Sequence, residues 1–183
     1  MFLSTLILLN TAAAEPVSYE ADTAHSILEF EVNALLGPVH GTFKDWSVEV
    51  TVDDGDLSTL KGVATVNVAT IDTRVAKRDK HLQQEDFFHV EVHPNATFTT
   101  KSAVLDDKGV LTVAGDLMMH GVTLPFEVPF TVVHQDEKRI RLSGEGTISR
   151  TSFGINYQSK MNKIQDDVVL KFNLNLRPPR KKK

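Results

Sequence analysis

The 183-residue chain contains no cysteine. This absence excludes disulfide scaffolds, cysteine-ligated zinc, iron–sulfur clusters and thiol nucleophiles. A basic surplus is also missing, because 24 Asp and Glu residues outnumber 20 Lys and Arg residues and give a formal net charge of −4. This mild acidity argues against a nucleic-acid-binding protein. No apolar run after residue 14 approaches the roughly 18–20 residues that span a bilayer.

Tyrosine and tryptophan are scarce, with two residues and one residue against ten phenylalanines. Phenylalanine lacks the polar group that suits Tyr and Trp to wet surfaces, so this set indicates an apolar interior. In contrast, β-branched residues are plentiful, since Val, Thr and Ile make up about a quarter of the chain. Such a composition favours strands over helices.

The two ends of the chain differ in composition from its body. Residues 1–14 carry no charge and end in Ala12-Ala13-Ala14, which predicts a signal peptide cleaved after Ala14 and export to the periplasm. Residues 177–183 form a basic tail, and removing its five cations changes the formal charge from −4 to −9. The tail is expected to be solvated, with weak attraction to anionic lipid as the alternative. Residues 15–176 are predicted to form one domain.

Apolar and polar residues alternate through most of this domain, for example over 168–176. A period of two indicates antiparallel strands with one buried face, and many short strands indicate a sandwich or a closed barrel. The residues alone leave both architectures open, and they leave the interior filled or hollow. The charged segment 73–85 is the exception, and it predicts one short helix with Asp72 or Thr73 as the N-cap.

Several short motifs follow one another in a specific order over nearly the whole mature length. They are DTAHS at 22–26, VHGTF at 39–43, KRDKHL at 77–82, DFF at 86–88, GDL at 115–117, HGVT at 120–123 and SRTSFGI at 149–155. In these motifs the chain resembles the YceI-like family of exported polyisoprenoid-binding proteins. Two departures are Ala34, where many members carry a histidine, and a turn at Leu35-Leu36-Gly37-Pro38 that is more apolar than usual.

The resemblance implies an all-β fold with one short helix, an eight-stranded antiparallel lipocalin-like β-barrel around a long apolar pocket. It also implies an isoprenoid-tailed ligand, either a quinone or a polyprenyl phosphate, and no catalytic activity. We further expect transient membrane contact and no cofactor besides the bound lipid. A monomer and a dimer both remain open. The leading hypothesis is therefore an exported carrier or store for such a lipid. The alternative is a non-catalytic stress or interaction protein whose barrel is filled.

The strand alternation and the resemblance together predict the ligand-binding residues. These are Leu28, Phe30, Val32, Phe43, Trp46, Val48, Arg78, Phe87, Phe88, Phe98, Phe126, Val128, Arg150, Phe153, Leu170 and Phe172. For the two arginines the sequence leaves two roles open. Each either pairs with a carboxylate such as Asp79, Asp86 or Asp116, or donates to a phosphate or quinone oxygen of the ligand.

The sequence gives less support to a metal site or a catalytic site than to a lipid-binding barrel. His89 and His93 are the only histidines at a ligand-like spacing, but Pro94 and the residues between them indicate an extended chain, so no metal site is predicted. Ser149 or Ser152 could combine with His120 and Asp116 in a hydrolase. However, no glycine pattern typical of a nucleophile elbow surrounds either serine, and the chain is predicted not to be an enzyme.

Overall fold

The structure, a computed structural model, describes residues 15–159 and 161–180. The predicted signal peptide and the last three residues of the basic tail lie outside these ranges. The strands are β1 (Val17–Ala21), β2 (Ile27–Ala34), β3 (Gly37–Phe43), β4 (Trp46–Asp53), β5 (Asp56–Asn67), β6 (Ile71–Asp72), β7 (Asn95–Leu105), β8 (Val110–Met119), β9 (Val122–Asp136), β10 (Arg139–Ser149) and β11 (Ile164–Arg177), and the helix is α1 (Ala76–Leu82).

Within the described residues, these segments build eight long antiparallel strands. β1 and β2 both pair with β11 and act as one interrupted strand. β3 and β4 form the next strand, since they pair with β2 and β1 respectively. β5 and β6 form the third, and β7 to β11 follow as neighbours. The pairing of β11 with β1 and β2 closes the sheet, which confirms the predicted eight-stranded barrel with one short helix.

The two ends of the barrel are connected differently. The hairpin end carries the turns 54–55, 106–109 and 137–138. The helix end carries the connections 35–36, 73–94, 120–121 and 150–163. Asp54-Gly55 and His120-Gly121 have positive φ at both positions and so make two-residue hairpin turns whose twist matches the flanking strands. The second of these turns fixes His120 at the helix end.

The helix begins later than the sequence predicts, and the predicted N-cap is wrong. Val75 occupies the N-cap position without a side-chain hydrogen bond. Arg74 has a φ of 64°, so the chain turns sharply before the helix can start. The Asp72 carboxylate accepts a hydrogen bond from the Arg74 amide at 2.8 Å and is therefore engaged outside the helix.

The hairpin end is filled by the most deeply buried part of the core. The five largest fully buried side chains of the described residues lie at this end, close to the hairpin turns or at the end of β11. They are Val52, Leu57, Leu111, Ile140 and Leu176. A second buried cluster, which includes Phe87, Leu117 and Phe153, packs at the helix end. Close packing of the first cluster closes one end of the barrel as a solid floor.

Candidate functional site

An apolar cavity of about 420 Å³ occupies the barrel above this floor. A cavity of this size is in the range that small-molecule sites occupy. Its walls are the inward-facing side chains that the period-two alternation of the strands places there. The polar residues of its lining that lie outside the strands include His81 on α1 and Tyr157 and Asn162 in the loop before β11, and they belong to the helix end.

All of the residues predicted to bind ligand line this cavity except Phe153. Phe153 lies in a 3-10 turn at Thr151–Phe153, is 3% exposed, and packs in the helix-end cluster behind the wall. The sequence placed it inward because it follows a strand, but the chain has already left the sheet at this point. Lining a cavity is a position, and ligand binding by the other residues stays a prediction.

Arg150 is buried and bonded to backbone, so the predicted pairing with a carboxylate is wrong for it. Its guanidinium donates to the carbonyl oxygens of Gln165 at 3.0 Å, Ile155 at 2.6 Å, Tyr157 at 3.1 Å and Ile164 at 3.2 Å. Because these carbonyls come from both sides of the loop between β10 and β11, Arg150 holds that loop over the cavity. The planar fork of arginine suits several acceptors at once.

Arg78 forms no ion pair with a carboxylate of the described residues, so the first of its two predicted roles is wrong, and the ligand role stays a prediction. Its Nε donates to Thr73 Oγ1 at 2.8 Å and its Nη2 to the Thr73 carbonyl at 2.9 Å. Asp79 instead accepts from the Thr73 amide at 2.9 Å. The Nη1 atom of Arg78 makes no hydrogen bond with any residue that the structure describes. Arg78 is half-buried and lines the cavity, so it presents a cationic donor to that space.

Two ring-bearing residues that line the cavity at the helix end, His81 and Tyr157, are not among the predicted ligand-binding residues. The rings of Phe87 and Tyr157 stack 4.6 Å apart, and the His81 ring packs edge-on against both at 5.0 Å. His81 Nε2 also contacts the Asp86 carboxylate at 2.9 Å. Tyr157 lies in a loop without alternation, so no sequence pattern could have placed it beside the helix.

His89, His93 and His120 form a row at the helix end, and one prediction about this segment is wrong. The His93 amide donates to the His89 carbonyl at 2.9 Å, so this segment is a helical turn and is not extended. The His89 and His93 rings lie 6.0 Å apart, and His93 and His120 lie 4.9 Å apart. In the described part of the chain, no group of three or more His, Asp or Glu side chains is arranged to hold a metal ion.

The residues considered for a hydrolase are bonded elsewhere. Ser149 Oγ donates to Asp166 at 2.6 Å, and Asp116 binds Lys101 at 2.7 Å. His120 Nδ1 contacts the Phe153 carbonyl oxygen at 3.0 Å. These contacts connect strands and loops, which gives each group a structural role.

Comparison with known proteins identifies the family. A family model described as the YceI-like domain matches residues 19–176. The chain belongs to the YceI family. It is 32% identical over 160 residues to protein YceI of Escherichia coli O157:H7, covering 84% of this chain and 83% of that protein. It is 36% identical over 151 residues to a UPF0312 protein of Staphylococcus aureus (strain N315), covering 79% and 85%.

Several solved structures share the barrel. BcnA of Burkholderia cenocepacia superposes with a TM-score of 0.77 at 24% identity, covering 85% of this chain and 98% of that one. The YceI protein of Campylobacter jejuni gives 0.68 at 26% identity, covering 78% and 86%. A domain of Saccharophagus degradans described as polyisoprenoid-binding gives a TM-score of 0.68 at 15% identity, covering 89% of this chain and 99% of that one, and shares the fold.

Among the helices of the described residues, none has the length and apolar character needed to cross a membrane.

Proposed function

We propose that this YceI-family protein is an exported, non-catalytic carrier that binds an isoprenoid-tailed lipid, a quinone or a polyprenyl phosphate, in the periplasm. The observation that carries the proposal is the apolar cavity of about 420 Å³, which has a solid floor and a polar rim. The description of the Saccharophagus degradans domain as polyisoprenoid-binding supports the same ligand class. Export rests on the predicted signal peptide at residues 1–14.

The tail supplies the binding energy in this proposal. Each five-carbon isoprene unit buries roughly 100 Å², so at about 25 cal/mol per Å² several units contribute about 10 kcal/mol before the costs of ordering. The cavity walls are mostly aliphatic and phenyl groups, which suit the hydrocarbon of such a tail. The depth of the cavity then limits how many isoprene units can be buried and so selects the length of the tail.

Arg78 is the residue that we assign to the head group. It lines the cavity, and its Nη1 atom is uncommitted among the described residues, so it can donate to a quinone or phosphate oxygen. Arg150 is assigned a structural role, because its bonds to four carbonyls occupy its fork. Replacing Arg78 by Met should weaken binding. It also removes the two hydrogen bonds to Thr73 and should lower the melting temperature, so binding is measured well below the melting temperature of the variant.

The test begins with protein secreted through its own signal. Extraction with organic solvent and mass spectrometry of the extract should recover an isoprenoid lipid, and sequencing of the mature protein should give Glu15 as its first residue. A protein from this source that yields no lipid would support a filled-barrel stress or interaction protein instead.

Direct titration then localises binding to the cavity. Trp46, the only tryptophan, lines the cavity, so its fluorescence should be quenched by a quinone with a short isoprenoid chain. Ala64→Phe fills the cavity from β5 and should abolish quenching. Ala114→Phe is the matched control, because Ala114 lies on β8 beside the cavity-lining Val113 and faces the other way. Equal loss in both variants would remove the cavity as the site.

A further inference from the structure

Three large apolar side chains stand out by their exposure. Leu35 is 71% exposed, Leu36 is 82% exposed and Met161 is 85% exposed. Every other exposed large hydrophobic residue in the described ranges is less exposed, and the next is Val104 at 62%. Single exposed apolar residues are normal, but a cluster of the most exposed ones marks an interaction site.

The fold brings these three residues together from distant parts of the sequence. Leu35 and Leu36 form the turn between β2 and β3, and Met161 lies in the loop before β11. The Leu35 amide donates to the Lys163 carbonyl at 2.9 Å, and the Leu36 amide donates to Asn162 Oδ1 at 3.0 Å. Two backbone-anchored bonds therefore join the turn and the loop into one projection, the apolar tip (Leu35, Leu36 and Met161).

The apolar tip borders the cavity. Ala34 immediately precedes Leu35, and Ser159 and Asn162 flank Met161; all three of these neighbours are half-buried and line the cavity. The opposite, hairpin end of the barrel is closed by packed side chains. An apolar ligand that enters from the helix end therefore passes beside the tip.

We propose that the apolar tip inserts into the surface of a lipid bilayer and places the cavity entrance against the membrane. The proposal rests on the proposed function, because the ligand it delivers is a membrane lipid. The three side chains of the apolar tip expose too little area for a stable dimer or another protein interface, which needs more than about 1,000 Å² of buried surface. They do suit the boundary between head groups and acyl chains, where the neighbouring exposed Lys163 can meet anionic head groups.

The test measures partitioning onto vesicles of phosphatidylethanolamine with a quarter phosphatidylglycerol. The variant Leu35→Ser/Leu36→Ser/Met161→Ser should partition at least about tenfold more weakly than the parent protein, since three apolar groups no longer insert. The control Val104→Thr/Val133→Thr removes two exposed apolar residues from β7 and β9 near the hairpin end and should partition like the parent. Partitioning of the tip variant equal to that of the parent would overturn the proposal.

A fluorescent probe on the tip reports insertion directly. The chain has no cysteine, so Leu36→Cys offers a single labelling position for an environment-sensitive dye. Its emission should shift to the blue with these vesicles, whereas a label at Val104→Cys should not shift. No shift at position 36, or binding that disappears when the three final lysines become serine, would overturn the proposal in favour of attraction through the basic tail.

A soluble probe separates this proposal from the proposed function. The tip variant should bind a short-chain quinone from water with unchanged affinity but should take it from vesicles at least about tenfold more slowly. If the parent protein inserts its tip but binds no quinone in solution, the proposed function fails and the membrane contact stands. If the tip variant takes quinone from vesicles as fast as the parent, the membrane contact fails and the carrier function stands.

Discussion

Replacing the buried Arg150 by Met should destabilise the protein without removing a ligand contact. Arg150 is 5% exposed, and its side chain donates four hydrogen bonds to backbone carbonyls of residues 155–165. Methionine keeps most of the volume but donates nothing, so up to four carbonyl oxygens lose their partner. The loop between β10 and β11 then loses its main attachment to the barrel.

The magnitude follows from two opposing contributions. A hydrogen bond to a charged group contributes about 1.5–3 kcal/mol, so four bonds set an upper limit of roughly 6–12 kcal/mol. Removing the buried charge also removes its desolvation cost of several kcal/mol, and the freed carbonyls regain some hydration. We therefore expect the free energy of unfolding to fall by about 3 kcal/mol, which lowers the melting temperature by roughly 6–12 °C in a protein of this size.

Urea denaturation followed by Trp46 fluorescence measures this change in ligand-free protein. Arg141→Met is the matched control, because Arg141 is exposed on β10, the strand that ends immediately before Arg150, and should change stability by less than about 0.5 kcal/mol. If Arg150→Met is as stable as the control but no longer binds quinone, the structural assignment of Arg150 is wrong and it belongs to the ligand site.

Three further predictions follow from the described contacts. Gly115→Ala should lower the free energy of unfolding by more than about 3 kcal/mol, because the new Cβ would clash with the Thr99 carbonyl oxygen; urea denaturation checks this. Burial, followed by the neighbouring histidines, holds the pKa of His93 below its ordinary value. The unfolded chain therefore binds the proton more readily, stability falls as the pH drops below about 6.5, and melting curves of His93→Phe should show a smaller fall. The hydrogen bond from Ser149 lowers the pKa of Asp166, so Asp166→Asn should be destabilising at neutral pH and the difference should vanish as the pH falls below about 4.

The alternation of apolar and polar residues predicts which side chains face the cavity within strands, but not beyond their ends. Leu28, Phe30 and Val32 alternate with polar residues, and all three line the cavity as predicted. Alternation suffices for them because a strand places every second side chain on the same face. Phe153 follows the same kind of strand but lies in a 3-10 turn, where that rule no longer applies, and its predicted place on the cavity is wrong.

The hydrogen-bond partners of Arg78 and Arg150 could not be predicted from their neighbours in the sequence. For both, the sequence left open a carboxylate partner and a ligand oxygen. In the fold, Arg150 meets carbonyls of the following loop, and Arg78 meets Thr73 across the sharp turn before the helix. Which acceptor an arginine reaches depends on how loops fold back over the barrel, and no periodicity encodes that.

The sequence by itself determined an all-β chain with a phenylalanine-rich interior, one short charged helix and membership of a recognisable family. The first three features follow from the composition and from the alternation of apolar and polar residues, and the family follows from the order of the short motifs. Only the tertiary structure decided that the interior is hollow above a packed floor, and that Leu35, Leu36 and Met161 meet beside its entrance. The radius of a closed barrel and the meeting of distant loops depend on strand number, tilt and pairing register, which are properties of the whole sheet.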